Sequence, residues 1–320
     1  MAGPYINFRK HVWKLLSPPW IDSYVWEKMR LGVVSGWWAP GPRTKTVEKI
    51  VARALDVDPA WVVATRSATV ALEAAYRFLL TDLEKIRVSP LTFVSTYSGA
   101  VNAGIPLEWV DVDEDGWPLA PCDVVVDLHG RPHSFGAGVP DCRPRLVDAA
   151  HRVLAPEHGD LVRDGAAVVY SFDLRKEVSC LVGGCLVSRE LPETYARQWL
   201  HFGLGPQRVP IPDLGGTNGG LPDPLAAQAI EALKRRWRGQ QKRTRVLEVY
   251  EKAFGNFLLT KPGDASGHIA VLRCRSEGEA RLIRNKLDFH RVEHSCHYAV
   301  PEEYGCPNAT ALAKRLVTLP

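Results

Sequence analysis

From about residue 45 to residue 190, short apolar runs alternate with helical stretches, and the runs break off at polar or glycine-bearing turns. This alternation narrows the fold more than any other feature. The runs at 61–64, 107–110, 123–128, 145–148, 166–172 and 185–187 are too short for helices and read as strands. Residues 87–98 read as a further strand ending in a polar turn, with a helix continuing to 103. At 44–55, Val47, Ile50, Val51 and Leu55 share one helical face, and a second helix is expected over 70–80. Strands alternating with helices build a mainly parallel sheet covered by helices, an α/β fold. In such sheets ligands gather at the carboxyl ends of the strands. Ser67, Phe93, His129, Asp148 and Lys176 all fall at or just past those ends.

Lys176 occupies a polar turn between two apolar strands, followed by Gly183 and Gly184. A lysine partly withdrawn from water holds its proton less tightly, and a neutral amine is a nucleophile and a base. Its other reading is a strand-end lysine reaching solvent. Ser67, Ala68 and Thr69 open the helix after the strand at 61–64. Hydroxyls and first-turn amides there suit either a phosphate or an ordinary helix cap.

Elsewhere the signals are structural. The Trp- and Pro-rich stretch at 35–42 must be a loop, with Trp37 and Trp38 suited to a pocket wall, a subunit contact or surface packing. The acidic run at 111–116 lacks the ligand spacing of a calcium loop and reads as solvated. Residues 205–224 form a Gly/Pro loop that reads as a linker or an active-site loop. It leads into a long helix whose Lys234, Arg235, Arg236, Arg238, Lys242, Arg243 and Arg245 read as a solvated face rather than a nucleic-acid surface. A small α+β unit is expected after it, with strands at 268–274 and 290–297 around a helix at 277–287. His294, Cys296 and His297 lack a matching second ligand pair, so no metal is expected. The 320 residues allow about two domains, and a net charge of +4 suits an anionic small substrate rather than a polyanion. The seven cysteines fit neither a disulfide framework nor a CxxC site. Residues 1–16 lack a signal-peptide core, and no run approaches the ~18 apolar residues of a membrane span. A cytoplasmic protein with no membrane partner is the expectation.

Taken in order, these segments resemble the DegT/StrS-type sugar aminotransferases, pyridoxal-phosphate (PLP) enzymes of the aspartate-aminotransferase fold, over residues 33–320. SGWWAPGP at 35–42 resembles the family's SGW-x-x-x-GP loop, and SATVAL at 67–72 its SGTAAL phosphate cup. LTFVST at 91–96 resembles FTFxAT, DAAH at 148–151 resembles DAAQ or DAAH, and SFDLRK at 171–176 resembles SFxxxK. GTN at 216–218 resembles the GxN loop, and His297-Tyr298 and Leu319-Pro320 the C-terminal HY and LP signatures.

The resemblance implies a type I PLP-dependent transferase fold. Residues 1–222 would form an N-terminal arm and a large PLP-binding domain, and residues 223–320 a connecting helix with a smaller α+β domain. It implies Lys176 as the Schiff-base lysine and proton shuttle, Asp148 on the pyridine nitrogen, Phe93 stacked on the ring and His151 beside it. Ser67, Ala68, Thr69 and Ser171 would hold the phosphate. Asn218 would reach the phosphate of the neighbouring subunit, which makes the protein a homodimer with shared sites. The implied reaction moves an amino group from L-glutamate to a keto sugar carried on a nucleoside diphosphate. A cyclitol ketone is the alternative acceptor, and a PLP-binding scaffold without turnover the alternative role. Relatives that dehydrate sugars carry His in place of the lysine. The sequence departs from the family pattern at Ala68, where the cup has glycine, at Gly220, where the loop has arginine, and at Asp127 and His129.

Overall fold

The computed structural model describes residues 22–140 and 142–320. The segment at 1–16, read above for a signal-peptide core, lies outside the described residues, as does most of the expected N-terminal arm.

The chain begins with α1 (Ser23–Val34) and α2 (Pro42–Leu55). There follow β1 (Val62–Thr65), α3 (Ala68–Leu79), β2 (Ile86–Val88), α4 (Ser95–Asn102), β3 (Leu107–Trp109) and β4 (Val124–Val126). Next come β5 (Leu146–Asp148), α5 (Glu157–Arg163), β6 (Ala167–Ser171), β7 (Gly184–Val187) and α6 (Glu193–Leu200). The strands form one sheet in the order β1-β7-β6-β5-β4-β2-β3. Neighbours from β6 to β3 pair in parallel, and only β7 runs antiparallel, to both β1 and β6. The expected mainly parallel sheet is therefore present, and β1, β2, β4, β5 and β6 all end on one edge.

Successive strand residues feed opposite cores. Val62, Ala64, Val168 and Tyr170 pack with α2 and the helix that follows α6, whereas Val63, Val169 and Leu186 pack with α3 and α6. Burial on both faces explains why the strands read as continuous apolar runs. A Cβ at Gly184 would lie 2.6 Å from the Ala68 amide nitrogen and 2.8 Å from the Tyr170 carbonyl. Only glycine lets β7 pass so closely under the start of α3.

The long helix α7 (Asp223–Phe254) packs against α1 and α2. Asp223 accepts hydrogen bonds from the amides of Arg43 (2.7 Å) and Thr44 (3.0 Å), capping α2 across 180 positions of sequence. The expected solvated face is not uniform. Lys234, Arg235 and Arg243 pair with Glu231, Asp22 and Glu177.

The remaining chain holds β8 (Ala270–Arg273), α8 (Glu277–Phe289), α9 (Pro307–Arg315) and β9 (Leu316–Leu319). The strand expected at 290–297 is absent. Ser295 makes a single bridge to Thr318, and β8 pairs antiparallel with β9 instead. The acidic run is also more than a solvated loop. Asp111 accepts from the amides of Asn308 (3.1 Å) and Ala309 (2.8 Å) and so caps α9. No described helix is long and apolar enough to cross a membrane.

Candidate active site

The strand ends of the main sheet open into a cleft of about 250 Å³, whose far wall is built by His268, Ile269, His297 and Tyr298. Of the residues picked out from sequence, Ser67, Ala68, Thr69, Phe93, Asp148, His151, Ser171 and Lys176 all line it. His129 does not. It is buried beneath the wall, its Nε2 is 2.7 Å from the His297 carbonyl, and burial pushes its pKa down to about 3. Asn218 is exposed, bridges to His201 and lies off the cleft.

One end of the cleft is the N-terminus of α3. Ser67 caps it, accepting from the Val70 amide at 3.3 Å, while the first-turn amides of Ala68 and Thr69 have no acceptor within the helix. The Thr69 and Ser95 hydroxyls meet at 2.8 Å, and Ser171 closes the same wall from the end of β6. Such an end attracts an anion through its amides and its dipole. The two sequence readings of this turn, cap and anion seat, use different atoms and are compatible.

The floor is Asp148, at the end of β5. Thr96 donates to its Oδ2 at 2.7 Å and the Ala150 amide to its Oδ1 at 3.0 Å, fixing the carboxylate's plane. Burial pushes its pKa up, while these hydrogen bonds and the charge of Lys176 pull it back.

Lys176 lies in the turn between β6 and β7. Its amide donates to the Asp173 carbonyl at 2.9 Å. The next residue, Glu177, anchors the turn from below, accepting from the Val153 amide (2.7 Å) and from Arg243 of α7 (3.0 Å). Burial lowers the Lys176 pKa to about 8, against the opposing pull of Asp148 and Asp173. About a tenth of the amine is then neutral at pH 7, far more than an exposed lysine offers.

His151 stands between Asp148 and the far wall. Its Nε2 is 2.8 Å from the Tyr298 hydroxyl, its ring lies 4.8 Å from that of His268, and its buried Nδ1 has no protein partner. Burial drives the pKa of His151 and His268 well below the ordinary value and that of His297 to about 4, so all three are neutral at pH 7. Phe93 remains open to the cleft, its ring 5.8 Å from that of Tyr298.

Sequence reasoning missed His268, Arg175 and Thr96 as site residues. Thr96 was within reach, since it closes the LTFVST segment. His268 carried no local signal, because only the return of β8 and β9 brings it to the cleft. Among the described residues, no group of three His, Cys, Asp or Glu side chains is arranged to hold a metal ion. His294 instead faces Asp288 at 3.1 Å, and His297 Nδ1 faces the Thr318 hydroxyl at 2.8 Å.

Two departures from the motif pattern have structural causes. A Cβ at Gly220 would clash with Cγ of Pro40, so the 35–42 loop occupies the space a side chain there needs. Asp127 is fully buried and accepts from His133 Nδ1 (2.9 Å) and His158 Nε2 (2.8 Å), while His158 Nδ1 meets the Tyr170 hydroxyl at 2.8 Å.

Comparison with known proteins agrees with this geometry. The profile of the DegT/DnrJ/EryC1/StrS aminotransferase family matches residues 22–129. A UDP-4-amino-4,6-dideoxy-N-acetyl-beta-L-altrosamine transaminase of Campylobacter jejuni is 26% identical over 238 residues, 67% of this chain and 62% of that one. The aminotransferase TlmJ of Streptoalloteichus hindustanus superposes with a TM-score of 0.83 at 21% identity, covering 96% of this chain and 93% of its own. NtdA of Bacillus subtilis, solved with bound cofactor PMP, superposes with a TM-score of 0.76 at 17% identity, over 98% and 81% of the two chains. The structural likenesses establish the fold. The matched segment carries the Ser67 turn and Phe93, and Asp148 and Lys176 follow beyond it in the same cleft. The chain is thus similar in sequence, over residues 22–129, to the DegT/DnrJ/EryC1/StrS aminotransferase family.

Proposed function

We propose that the protein is a PLP-dependent aminotransferase that moves an amino group from L-glutamate to a keto sugar carried on a nucleoside diphosphate. One observation carries the reading. A lysine with a lowered pKa, an oriented buried carboxylate and a helix N-terminus share one cleft.

The residues present fit the cofactor. The amides of Ala68 and Thr69, with Ser67 and Ser171, would take its phosphate, and His151 Nδ1 is a buried polar atom awaiting a partner. Asp148 would keep the proton on the ring nitrogen, Phe93 would cover the ring, and Lys176 would carry the cofactor and move protons at the substrate carbon. When bound, PLP supplies the electron sink for the chemistry. Thr96 and Ala150 hold Asp148 in one plane, and Glu177 with Arg243 holds the Lys176 turn, so neither group reorganises during turnover.

Asn218 is exposed and off the cleft, which supports a homodimer in which it serves the partner's site. The open aromatic side chains of Trp37, Trp38 and Phe202 suit such a contact. The proposed division falls at 222/223, where α7 begins. Purified protein supplied with PLP should turn yellow and bleach on addition of L-glutamate. A band that persists would refute the donor, and no band in folded protein would refute the reading.

A further inference from the structure

We propose that the Glu177–Arg243 ion pair is a positioning device of the cleft, setting Lys176 against the loop that carries Asp148 and His151 and against the wall at residues 266–268. The inference rests on the aminotransferase reading and extends it to two residues that do not themselves line the cleft.

The pair lies where three pieces of the site converge. Glu177 follows Lys176 directly, and only 6% of its side chain is open. Both of its oxygens are committed: Oε2 accepts from the Val153 amide at 2.7 Å, and Oε1 from Arg243 Nη2 at 3.0 Å. Val153 lies two residues beyond His151 on the loop that leaves Asp148. Arg243 comes from the middle of α7 and is pressed against the facing wall, where a Cβ at Gly267 would lie 2.8 Å from the Arg243 Cβ. On one side of Gly267, Ser266 Oγ donates to the His151 carbonyl at 2.8 Å. On the other, His268 lines the cleft, and the charge of Arg243 helps to keep it neutral. One carboxylate–guanidinium contact therefore joins the lysine turn to both elements that face it.

The pair is poorly built for stability. Burial pushes the Glu177 carboxyl up, and the charge of Arg243 is the largest influence drawing it back. Arg243 Nε is buried with no hydrogen-bond partner among the described residues. An ion pair withdrawn from water with a donor left over offsets little of its desolvation cost, and apolar side chains of similar volume commonly stabilise as well or better. Apolar contacts do not fix direction, however. The Glu177 carboxylate meets donors from two separate elements at hydrogen-bonding distance, and so sets where the Lys176 turn stands relative to His151. A displacement of about 1 Å in a reacting group can slow a reaction about 100-fold.

PLP-loaded wild-type protein would be compared with Glu177→Leu, with Arg243→Met and with the two changes combined. Each single change strands one withdrawn charge and should lower the melting temperature, whereas the combined change removes both charges and should restore it. Circular dichroism of the PLP absorption band, read before any amino donor is added, reports how the cofactor sits. The combined variant should show an altered band. On addition of L-glutamate it should bleach about 10- to 100-fold more slowly at saturation, with little change in KM. A combined variant that regains the melting temperature together with the wild-type band and rate would show that the pair only completes the packing, and would overturn the proposal. One that stays as unstable as the single changes would show a stabilising contact, and would overturn it too. Both results leave the aminotransferase reading intact. Wild-type protein that forms no PLP band would overturn both.

Discussion

Lys176 offers the most quantitative test, because the same burial that makes it reactive also makes it destabilising. Its fall from the ordinary 10.5 to about 8 corresponds to about 3 kcal/mol of penalty on the charged form. The side chain keeps partial access to water, and Asp148 loses a neighbouring cation when the charge is removed, so about 1–3 kcal/mol is the net expectation for Lys176→Met in cofactor-free protein. The pH dependence carries a definite sign. Below about pH 8 both folded and unfolded chains hold the proton, and the whole penalty is in force. Between about 8 and 10.5 the unfolded chain keeps a proton that the folded chain has released, so wild-type stability rises with pH through that window. Lys176→Met should therefore melt about 2–4 °C above wild type at pH 7, given the unfolding entropy of a chain this long, and the gap should narrow by pH 9.5. Melting curves of both proteins, stripped of cofactor, at pH 7, 8.5 and 9.5 decide it. A variant less stable than wild type at pH 7, or a gap that does not change with pH, would refute the reasoning.

Tyr298→Phe should remove the hydroxyl partner of His151 Nε2 and weaken PLP binding about 10-fold, read by titration of the cofactor's absorption. Asp127→Asn should cost about 3–5 kcal/mol in urea denaturation at pH 7, because two imidazoles and, at 3.7 Å, Arg152 lose their buried anion. The Asp127 carboxyl is held below its ordinary range by these partners, so its contribution is full above pH 3.8 and fades only as pH falls further. A variant that matches wild type at pH 7 would show that the network is not stabilising. Gly220→Ala should lower the urea midpoint by the equivalent of about 1–3 kcal/mol through its clash with Pro40, with the PLP band retained.

The main sheet was legible because its evidence is local. Strands buried on both faces leave apolar runs, and their ends put Ser67, Asp148 and Lys176 on one edge whatever the detailed strand order. The C-terminal part was harder. The strand expected at 290–297 gave way to β9, whose antiparallel pairing with β8 joins residues 43 to 49 positions apart, from Arg273 with Leu316 to Ala270 with Leu319, and leaves no local trace. The start of α9 did leave one, a proline at its first position followed by alanine-rich sequence. Polar roles were the least visible. Asp111 as a cap for α9, Asp127 between two histidines and Asp223 capping α2 all depend on partners far along the chain. His268 reaches the cleft for the same reason, through tertiary placement rather than a motif, whereas Arg175 lies within the SFDLRK segment beside Lys176. The motif departures at Gly220 and Asp127 proved to be sites of packing and of buried charge, respectively.

The central claim is that Lys176 is the residue that carries the cofactor. Protein loaded with PLP, reduced with borohydride, digested and examined by mass spectrometry tests this directly. The account predicts the pyridoxyl-phosphate mass on the peptide containing Lys176, and its loss in Lys176→Met. Label on a different lysine, or no label on folded protein that has taken up PLP, would contradict it.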